Sequence, residues 1–137
     1  LFFQVIGIEI LPFTPQTGIL LFGFFLVVVG FLFSMLGRHS LGTNWAHALE
    51  YQIKKKQELV TRGIYRFIRH PIYSGFFLSI LGLELVLGSY LSIVVLLIGI
   101  PVLNRQAGME EKLLEEHFGK KYGAYKERTT RFIPLLW

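Results

Sequence analysis

The chain has 137 residues, of which 53% are hydrophobic, and it contains no cysteine. The lack of cysteine excludes a secreted scaffold built on disulfides, and the apolar composition excludes an intrinsically disordered segment. The net charge of +5 would suggest a nucleic-acid partner in a soluble protein, but the mean hydropathy of +0.52 is too high for that class. Every Lys and Arg lies at or after Arg38, a segregation of charge that is typical of membrane proteins.

An uncharged apolar run at residues 16–36 predicts a first membrane span. As an α-helix it would be roughly 31 Å long, which matches a hydrocarbon core of about 30 Å. A secretory signal peptide is excluded, because no basic stretch precedes the run and the run is too long. Residues 1–11 are also apolar but would reach only about 16 Å as a helix, so they are interpreted as the end of a truncated span.

A second apolar block, from Ile72 to Leu103, would be about 48 Å long as one helix and would overshoot the bilayer. We therefore expect it to fold back at Gly88 as a hairpin of two short helices, 72–87 and 89–104. Basic residues flank the block at both ends, so the positive-inside tendency places both ends in the cytoplasm.

These spans predict an all-α integral membrane protein, a multi-span helical bundle with a C-terminal helical hairpin (72–104). The polar residues are then concentrated in a cytoplasmic loop (37–71) and a cytoplasmic tail (105–137). We interpret residues 1–137 as one membrane domain whose chemical site, if it has one, lies on this face.

The loop ends in Arg69-His70-Pro71, directly before the hairpin. Proline suits the first position of a helix, so His70 is expected at the mouth of the next helix. Backbone N–H groups and the helix dipole there favour a negative group, such as the carboxylate of an amino-acid-like ligand. Tyr73 would face the same space. A plain helix start with interfacial anchors explains these residues equally well.

Acidic residues offer a second set of candidates. Glu110 and Glu111 follow the hairpin by about one turn and can hold a positive group such as an amine, although ordinary solvated glutamates are the alternative. Glu84 is an ionisable group within the hairpin, but its position close to Gly88 places it near the far interface, where we expect it to reach water. The histidines lack metal-ligand spacing and cysteine is absent, so no metal site is predicted.

The tail carries a helical pattern in which Leu114, Phe118, Tyr122 and Tyr125 share one face. Two glycines in this segment weaken the helix, so we expect it to be broken. An interfacial amphipathic helix and a lid over a cytoplasmic site are the two interpretations.

Taken together, these motifs resemble the isoprenylcysteine carboxyl methyltransferase family and, more broadly, the membrane methyltransferases that include phospholipid N-methyltransferases. The resemblance runs from about Gly37 to Pro134. Its elements in chain order are Gly37-Arg38, Leu41-Gly42, Asn44-Trp45, Leu59-Val60-Thr61, Gly63, Tyr65, Arg69-His70-Pro71, Tyr73, Gly75, Glu110-Glu111, Leu114, Phe118-Gly119, Tyr122, Tyr125 and Arg131-Phe132-Ile133-Pro134.

The resemblance implies a transferase that uses S-adenosylmethionine, with S-adenosylhomocysteine as product, bound at the cytoplasmic membrane face between the loop, the hairpin and the tail. The family's cofactor positions carry over to Gln57, Glu58, Leu59, Val60, Tyr65, His70, Pro71, Ile72, Tyr73 and Glu110. Glu110 is also implied to act in catalysis. At Gln57 the eukaryotic carboxyl methyltransferases carry a histidine.

The implied reaction is an in-line methyl transfer from a sulfonium to a lipophilic acceptor, above all a carboxylate of isoprenylcysteine type, aided by alignment and exclusion of water. A carboxylate acceptor needs a cation to orient it, and Arg105 is the catalytic candidate. The family has an arginine four residues before the first glutamate, where this chain has Gln106. The implied partners are a prenylated or other lipophilic acceptor and membrane lipids, without nucleic acid or metal.

Three other functions stay open. One is a phospholipid or small-lipid N-methyltransferase. Another is a membrane reductase of the sterol-reductase type, which would bind a nicotinamide cofactor and need a basic pocket beyond Lys54–Lys56. The last is a non-catalytic membrane scaffold. The short length is typical of a bacterial or archaeal version, so a prokaryotic cytoplasmic membrane is the expected location.

Overall fold

The structure is a computed structural model that describes residues 13–44 and 58–133. Within these ranges the chain is all-helical and forms no strand, which confirms the predicted fold class. The elements are α1 (Thr17–Leu41), α2 (Pro71–Val86), α3 (Leu91–Phe118), α4 (Lys120–Lys126) and two short 3₁₀ helices, Gly42–Asn44 and Gly63–Arg66. The partial span predicted at 1–11 lies outside the described residues, so the single-domain interpretation of 1–137 stays a prediction.

Helix α1 covers the predicted first span and continues one turn beyond it, to Leu41. It ends at Gly42, whose φ of 54° is in the left-handed region that glycine adopts without strain. The guanidinium of Arg38 donates to the carbonyl oxygen of Gly42 at 3.1 Å, which satisfies a carbonyl at the helix end. The end of α1 is thereby fixed where the polar half of the molecule begins.

Helices α2 and α3 form the predicted hairpin, with Pro71 as the first residue of α2. The turn contains Gly88 at a φ of 61°, and a Cβ there would collide with the backbone of Phe13, so both the conformation and the space require glycine. The predicted end of the second arm at residue 104 was wrong. Helix α3 continues without a break to Phe118. Beyond residue 104 its buried residues are Ala107 and Glu111, and their contact with the rest of the protein supports the helix there.

Helices α1 and α2 are antiparallel and touch backbone to backbone through glycines spaced seven residues apart. Gly23 faces Gly82 and Gly30 faces Gly75, and a Cβ at Gly30 would lie 2.5 Å from the carbonyl oxygen of Gly75. Residues seven apart lie on the same side of a helix after two turns. Small residues in such a stripe let two helices approach closely within a membrane.

Two helices, α1 and α3, are long and apolar enough to cross a membrane, and α2 is a shorter apolar helix. Large apolar side chains along α1 and α3 point outward, among them Phe24, Phe31, Leu97 and Ile98. This surface suits hydrocarbon rather than water, in keeping with the predicted integral membrane fold.

Glu84 differs from its prediction. Its exposed fraction is 2%, whereas we expected it to reach water near the far interface. It lies beside the hairpin turn, where the backbone N–H of Ser89, itself 1% exposed, donates to the carbonyl oxygen of Glu84 at 2.9 Å. Glu84 is therefore enclosed within the protein, next to the hairpin turn.

Candidate functional site

A cavity of about 450 Å³ lies where the C-terminal end of α1, the N-terminal end of α2 and the polar half of α3 meet. Its volume is within the range of about 300–1,000 Å³ of small-molecule sites. Most of its wall is apolar or aromatic, and a few charged or polar side chains are interspersed. The described residues that line it are Ser34, Leu41, Asn44, Glu58, Leu59, Val60, Tyr65, Arg69, His70, Ile72, Tyr73, Phe76, Glu110, Leu114, Phe118, Tyr122 and Tyr125.

Most of the positions that the resemblance assigns to a cofactor lie in this one wall. They are Glu58, Leu59, Val60, Tyr65, His70, Ile72, Tyr73 and Glu110. Pro71 is not in the wall; it is fully buried and packs where α2 begins, next to Gly37 of α1. Gln57 lies outside the described residues.

The structure does not bring Arg105 to the cavity. Arg105 is exposed on α3 and is absent from the wall. The hypothesis that it reaches the site assumed a helix end at residue 104, but α3 is continuous through this region. In a continuous helix Arg105 points about 140° away from Glu110, whereas Gln106 points only about 40° away. The arginine that does line the cavity is Arg69.

His70 is fixed at the mouth of α2 by the segment that follows α4. The backbone N–H groups of Arg69 and His70 donate to the carbonyl oxygens of Thr130 and Arg131 at 2.9 and 3.0 Å, in a short parallel bridge. The Ser74 hydroxyl donates to the carbonyl oxygen of Phe132 at 2.7 Å. The segment after α4 therefore supports the histidine from behind the cavity wall, with its backbone bonded to the start of α2.

A buried ion cluster around Glu111 joins α2, α3 and the tail. The Glu111 side chain is 3% exposed, and its carboxylate accepts from Nε of Arg69 at 2.9 Å and from both Nε and Nη2 of Arg131 at 3.1 and 2.8 Å. These hydrogen bonds to Glu111 raise the pKa of Arg131 above its usual value. Two planar guanidinium groups on one carboxylate form a strong, directional contact.

The His70 ring lies between two carboxylates. Its Nε2 is 3.2 Å from Oε1 of Glu111, and its Nδ1 is 3.6 Å from Oε2 of Glu110. Because a carboxylate only accepts, the contact between Nε2 and Glu111 is a hydrogen bond when Nε2 is the donor. The Tyr73 hydroxyl donates to the same Oε2 of Glu110 at 2.8 Å, and the rings of His70 and Tyr73 are stacked with their centroids 5.3 Å apart.

Glu110 has a different environment from its neighbour Glu111. Its side chain is 29% exposed and borders the cavity, and no hydrogen bond joins its Oε1 to any residue in the described ranges. Glu111 is buried and fully engaged. Of the two carboxylates, Glu110 is the one that can meet a positively charged or hydroxyl-bearing ligand.

Aromatic side chains close the side of the cavity that α4 forms. The broken tail helix is confirmed: α3 ends at Gly119, with a φ of 53°, and the short helix α4 turns Tyr122 and Tyr125 inward. The Tyr125 hydroxyl donates to the carbonyl oxygen of Tyr65 at 2.7 Å. Burial raises the pKa of Tyr65, Tyr122 and Tyr125 above the usual value, so all three are neutral at physiological pH.

Reasoning from sequence missed the roles of Arg69, Glu111 and Arg131, although it named all three as motif elements. Arg131 and Glu111 are separated by 20 residues and Arg69 and Glu111 by 42, so local patterns carry no sign of their contacts. Tyr122 was placed on the tail's apolar face but was not assigned to the site. Within residues 13–44 and 58–133, no group of three or more His, Asp or Glu side chains is arranged to hold a metal ion.

The comparisons with known proteins agree with this arrangement. The family model described as phospholipid methyltransferase matches residues 19–121. A probable protein-S-isoprenylcysteine O-methyltransferase of Oryza sativa subsp. japonica is 27% identical over 115 residues, which cover 83% of this chain and 60% of the rice protein. The protein-S-isoprenylcysteine O-methyltransferase of Schizosaccharomyces pombe is 33% identical over 96 residues, covering 69% of this chain and 41% of its own length.

A solved structure has the same fold. The eukaryotic intramembrane Ras methyltransferase, an isoprenylcysteine carboxyl methyltransferase, superimposes with a TM-score of 0.77 at 24% identity, covering 85% of this chain and 42% of that protein. The chain thus spans less than two thirds of each of these proteins. Because the family model covers well over half of the chain, as the resemblance predicted, this protein belongs to the phospholipid methyltransferase family of membrane proteins.

Proposed function

We propose that the protein is a methyltransferase that binds S-adenosylmethionine in the cavity and methylates a lipophilic acceptor at the membrane surface. The observation that carries this proposal is the composition of the wall. A helix mouth with His70, Tyr73 and Glu110 meets the apolar side chains of Leu59 and Ile72 in one cavity. Such a site has a polar end for an amino-acid group and an apolar end for a flat, uncharged group.

The polar end fits the amino-acid moiety of the methyl donor. Ser74 is the first residue of α2 whose N–H bonds within the turn, to the carbonyl oxygen of His70. The first turn of a helix presents backbone N–H groups that have no carbonyl partner within the helix, which makes it a favourable place for a carboxylate. Glu110 offers a carboxylate to the ammonium group, and Tyr73 holds that carboxylate in position through its hydroxyl.

The apolar wall fits the rest of the donor. Leu59, Val60 and Ile72 provide surface for the adenine and thioether groups, and Phe118 and the tail tyrosines cover the cytoplasmic side. When bound, the donor supplies a sulfonium methyl group, which is transferred in line without a covalent enzyme intermediate. The protein's own contribution is then to align the two reactants and to exclude water from between them.

We propose an isoprenylcysteine-type carboxylate as the acceptor, because the relatives reported above are named for that activity. The wall continues to Phe76, one turn deeper along α2 and 63% exposed, so its apolar part is continuous with the surface that suits lipid. The family description favours a second candidate, a phospholipid amine. Both acceptors combine an apolar chain with a polar head.

We propose that the site faces the cytoplasm. The basic side chains Arg62 and Arg66, and Lys120 and Lys121 in the tail, lie at the same end of the helices as the cavity, and such residues concentrate on the cytoplasmic side of a membrane. The location in a prokaryotic membrane stays a prediction from sequence length.

Binding of S-adenosylhomocysteine to the detergent-solubilised protein tests the cofactor. We expect saturable calorimetric binding, with NADPH as a control ligand that does not bind. Glu110→Gln should weaken binding about tenfold, because a hydrogen bond to a charged group is lost. The matched control is Glu116→Gln, an exposed glutamate on the same helix outside the cavity, which should bind like the wild type. A folded wild-type sample that binds no S-adenosylhomocysteine would point to the scaffold function.

The product identifies the acceptor. The protein in vesicles is supplied with donor carrying a radioactive methyl group, together with an S-prenylated cysteine or phosphatidylethanolamine. A methyl ester releases its label as methanol in mild base, whereas an N-methyl amine keeps it. We expect base-labile label on the prenylated cysteine. Base-stable label on the phospholipid would replace this acceptor with the amine.

A further inference from the structure

Two buried tyrosines on α4 line the cavity, and they differ in whether the hydroxyl group has a hydrogen-bond partner. The Tyr125 hydroxyl has a partner, the carbonyl oxygen of Tyr65 at 2.7 Å. Tyr122 is the more buried of the two, 1% exposed, yet its hydroxyl has no hydrogen-bond partner within residues 13–44 and 58–133. The two rings are in edge contact, with centroids 5.8 Å apart, so they have closely similar surroundings.

An unbonded hydroxyl in such a place is unfavourable. Leaving a buried polar group without a partner forfeits the hydrogen bonds it made with water, and nearly all buried polar groups in proteins are bonded. A phenylalanine at residue 122 would fill the same volume without this cost. The unbonded hydroxyl of Tyr122 is therefore a candidate for contact with a ligand.

The surroundings of Tyr122 indicate where such a ligand would bind. Its charged neighbours include Glu111, Arg69, Arg131 and Glu110. The carboxylate of Glu111 is already occupied by two arginines, and Arg69 donates through Nε to Glu111 and through Nη1 to backbone carbonyls of the tail. Glu110 is the neighbour that borders the cavity and keeps an oxygen available.

We propose that Tyr122 is a ligand-binding residue whose hydroxyl hydrogen-bonds the amino-acid end of the methyl donor, beside Glu110. This inference rests on the proposed function and adds to it a contact that the family resemblance did not assign. The hydroxyl stays protonated because burial raises its pKa. It can therefore donate to the donor's carboxylate or accept from its ammonium group.

The two tyrosines are expected to behave in opposite ways when the ligand is absent. Tyr122→Phe removes an unbonded hydroxyl, so its melting temperature without ligand should equal or exceed that of the wild type. Tyr125→Phe leaves the buried carbonyl of Tyr65 without its donor, so its melting temperature should fall by several degrees. A fall for Tyr122→Phe as large as that for Tyr125→Phe would show that the hydroxyl already has an internal partner, and would overturn the proposal.

Binding then tests the ligand contact. We expect Tyr122→Phe to weaken S-adenosylhomocysteine binding about tenfold, the loss of one hydrogen bond to a charged group. 5′-Methylthioadenosine, which keeps the nucleoside and thioether but lacks the amino-acid end, should bind wild type and Tyr122→Phe equally. Equal weakening of both ligands would place the hydroxyl at the nucleoside and refute the assignment.

The outcomes separate this inference from the proposed function. If the wild type binds S-adenosylhomocysteine and Tyr122→Phe binds it equally well, the inference fails and the cofactor assignment stands. If a folded wild type binds neither ligand, the cofactor assignment itself fails. The Glu116→Gln variant controls for nonspecific effects of substitution on binding, because residue 116 is outside the cavity.

Discussion

Helix α2 is held along its length by close packing of its shape against α1, and at its N-terminus by ion pairs between charged side chains. Along its length it meets α1 through Gly75 and Gly82, with backbone against backbone. At its N-terminus, Arg69 and His70 bind Glu111 of α3, and Arg131 of the tail binds the same carboxylate. The first contact lies among apolar residues, and the second borders the cavity.

The difference follows from what each environment can supply. Lipid provides little hydrophobic driving force between helices, so close van der Waals contact between small residues holds α1 to α2. At the membrane surface the protein instead orders a loop, a helix end and a tail that are distant in sequence. Directional ion pairs fix the relative positions of these three segments. The position of His70 depends on the ion pairs and on the packing of α2 against α1, because His70 immediately precedes α2.

Glu111→Gln is expected to have the largest effect on stability. It leaves the buried guanidinium of Arg69 without its carboxylate, and removing one partner of a buried ion pair costs about 3–5 kcal/mol. The measurement is the free energy of unfolding of the detergent-solubilised protein.

The matched control is Glu115→Gln on the same helix. Glu115 pairs with Lys126 at 2.7 Å, but the two side chains are 44% and 40% exposed, so the expected loss is about 0–1 kcal/mol. Equal losses for the two variants would show that the Glu111 cluster is not buried as described. The claim that buried ion pairs hold the N-terminus of α2 would then fail.

Gly30→Val tests the shape-held half and should have the next largest effect. The new side chain would meet the carbonyl oxygen of Gly75 and the Ser79 side chain, so the helices would have to separate. Overpacking of this kind costs about 1–3 kcal/mol. Unfolding of the same detergent-solubilised sample measures it.

Gly18→Val is the control for the change in helix propensity, because it is on the same helix and a Cβ there meets no atom within 4 Å. It should be near wild type. If Gly18→Val destabilised the protein as much as Gly30→Val, the effect would be one of backbone conformation, and the close contact of α1 with α2 would not be what stabilises the pair.

The helices were predictable because their signals are local. An uncharged run long enough to cross a bilayer, a proline at the start of α2 and a glycine at the hairpin turn each act within a few residues. The end of α3 was not predictable from polarity, because the helix continues from lipid into the polar region without a change of backbone. What continues it is burial of Ala107 and Glu111 against other elements, which depends on the tertiary fold.

The site was predictable only in part. The resemblance named most of the wall, since motif positions such as His70 and Glu110 follow from similarity alone. It did not reveal which of two adjacent glutamates is buried, because Glu110 and Glu111 differ only in which side of α3 they occupy. Nor did it reveal the unbonded hydroxyl of Tyr122, which is a property of the folded cavity.

Arg105→Ala should have the smallest effect. It distinguishes the structure, in which Arg105 lies outside the cavity, from the sequence-based expectation that Arg105 orients the acceptor. Because Arg105 is exposed and lies outside the wall, its removal should change the free energy of unfolding by no more than about 0.5 kcal/mol and leave S-adenosylhomocysteine binding unchanged. The decisive measurement is KM for a prenylated carboxylate acceptor at saturating donor. An unchanged KM means that Arg105 does not orient the acceptor, which leaves Arg69 as the arginine in the described wall. A KM raised several-fold with donor binding intact would instead restore Arg105 as the orienting cation, and the acceptor's carboxylate would then lie on the outer side of α3 rather than inside the cavity.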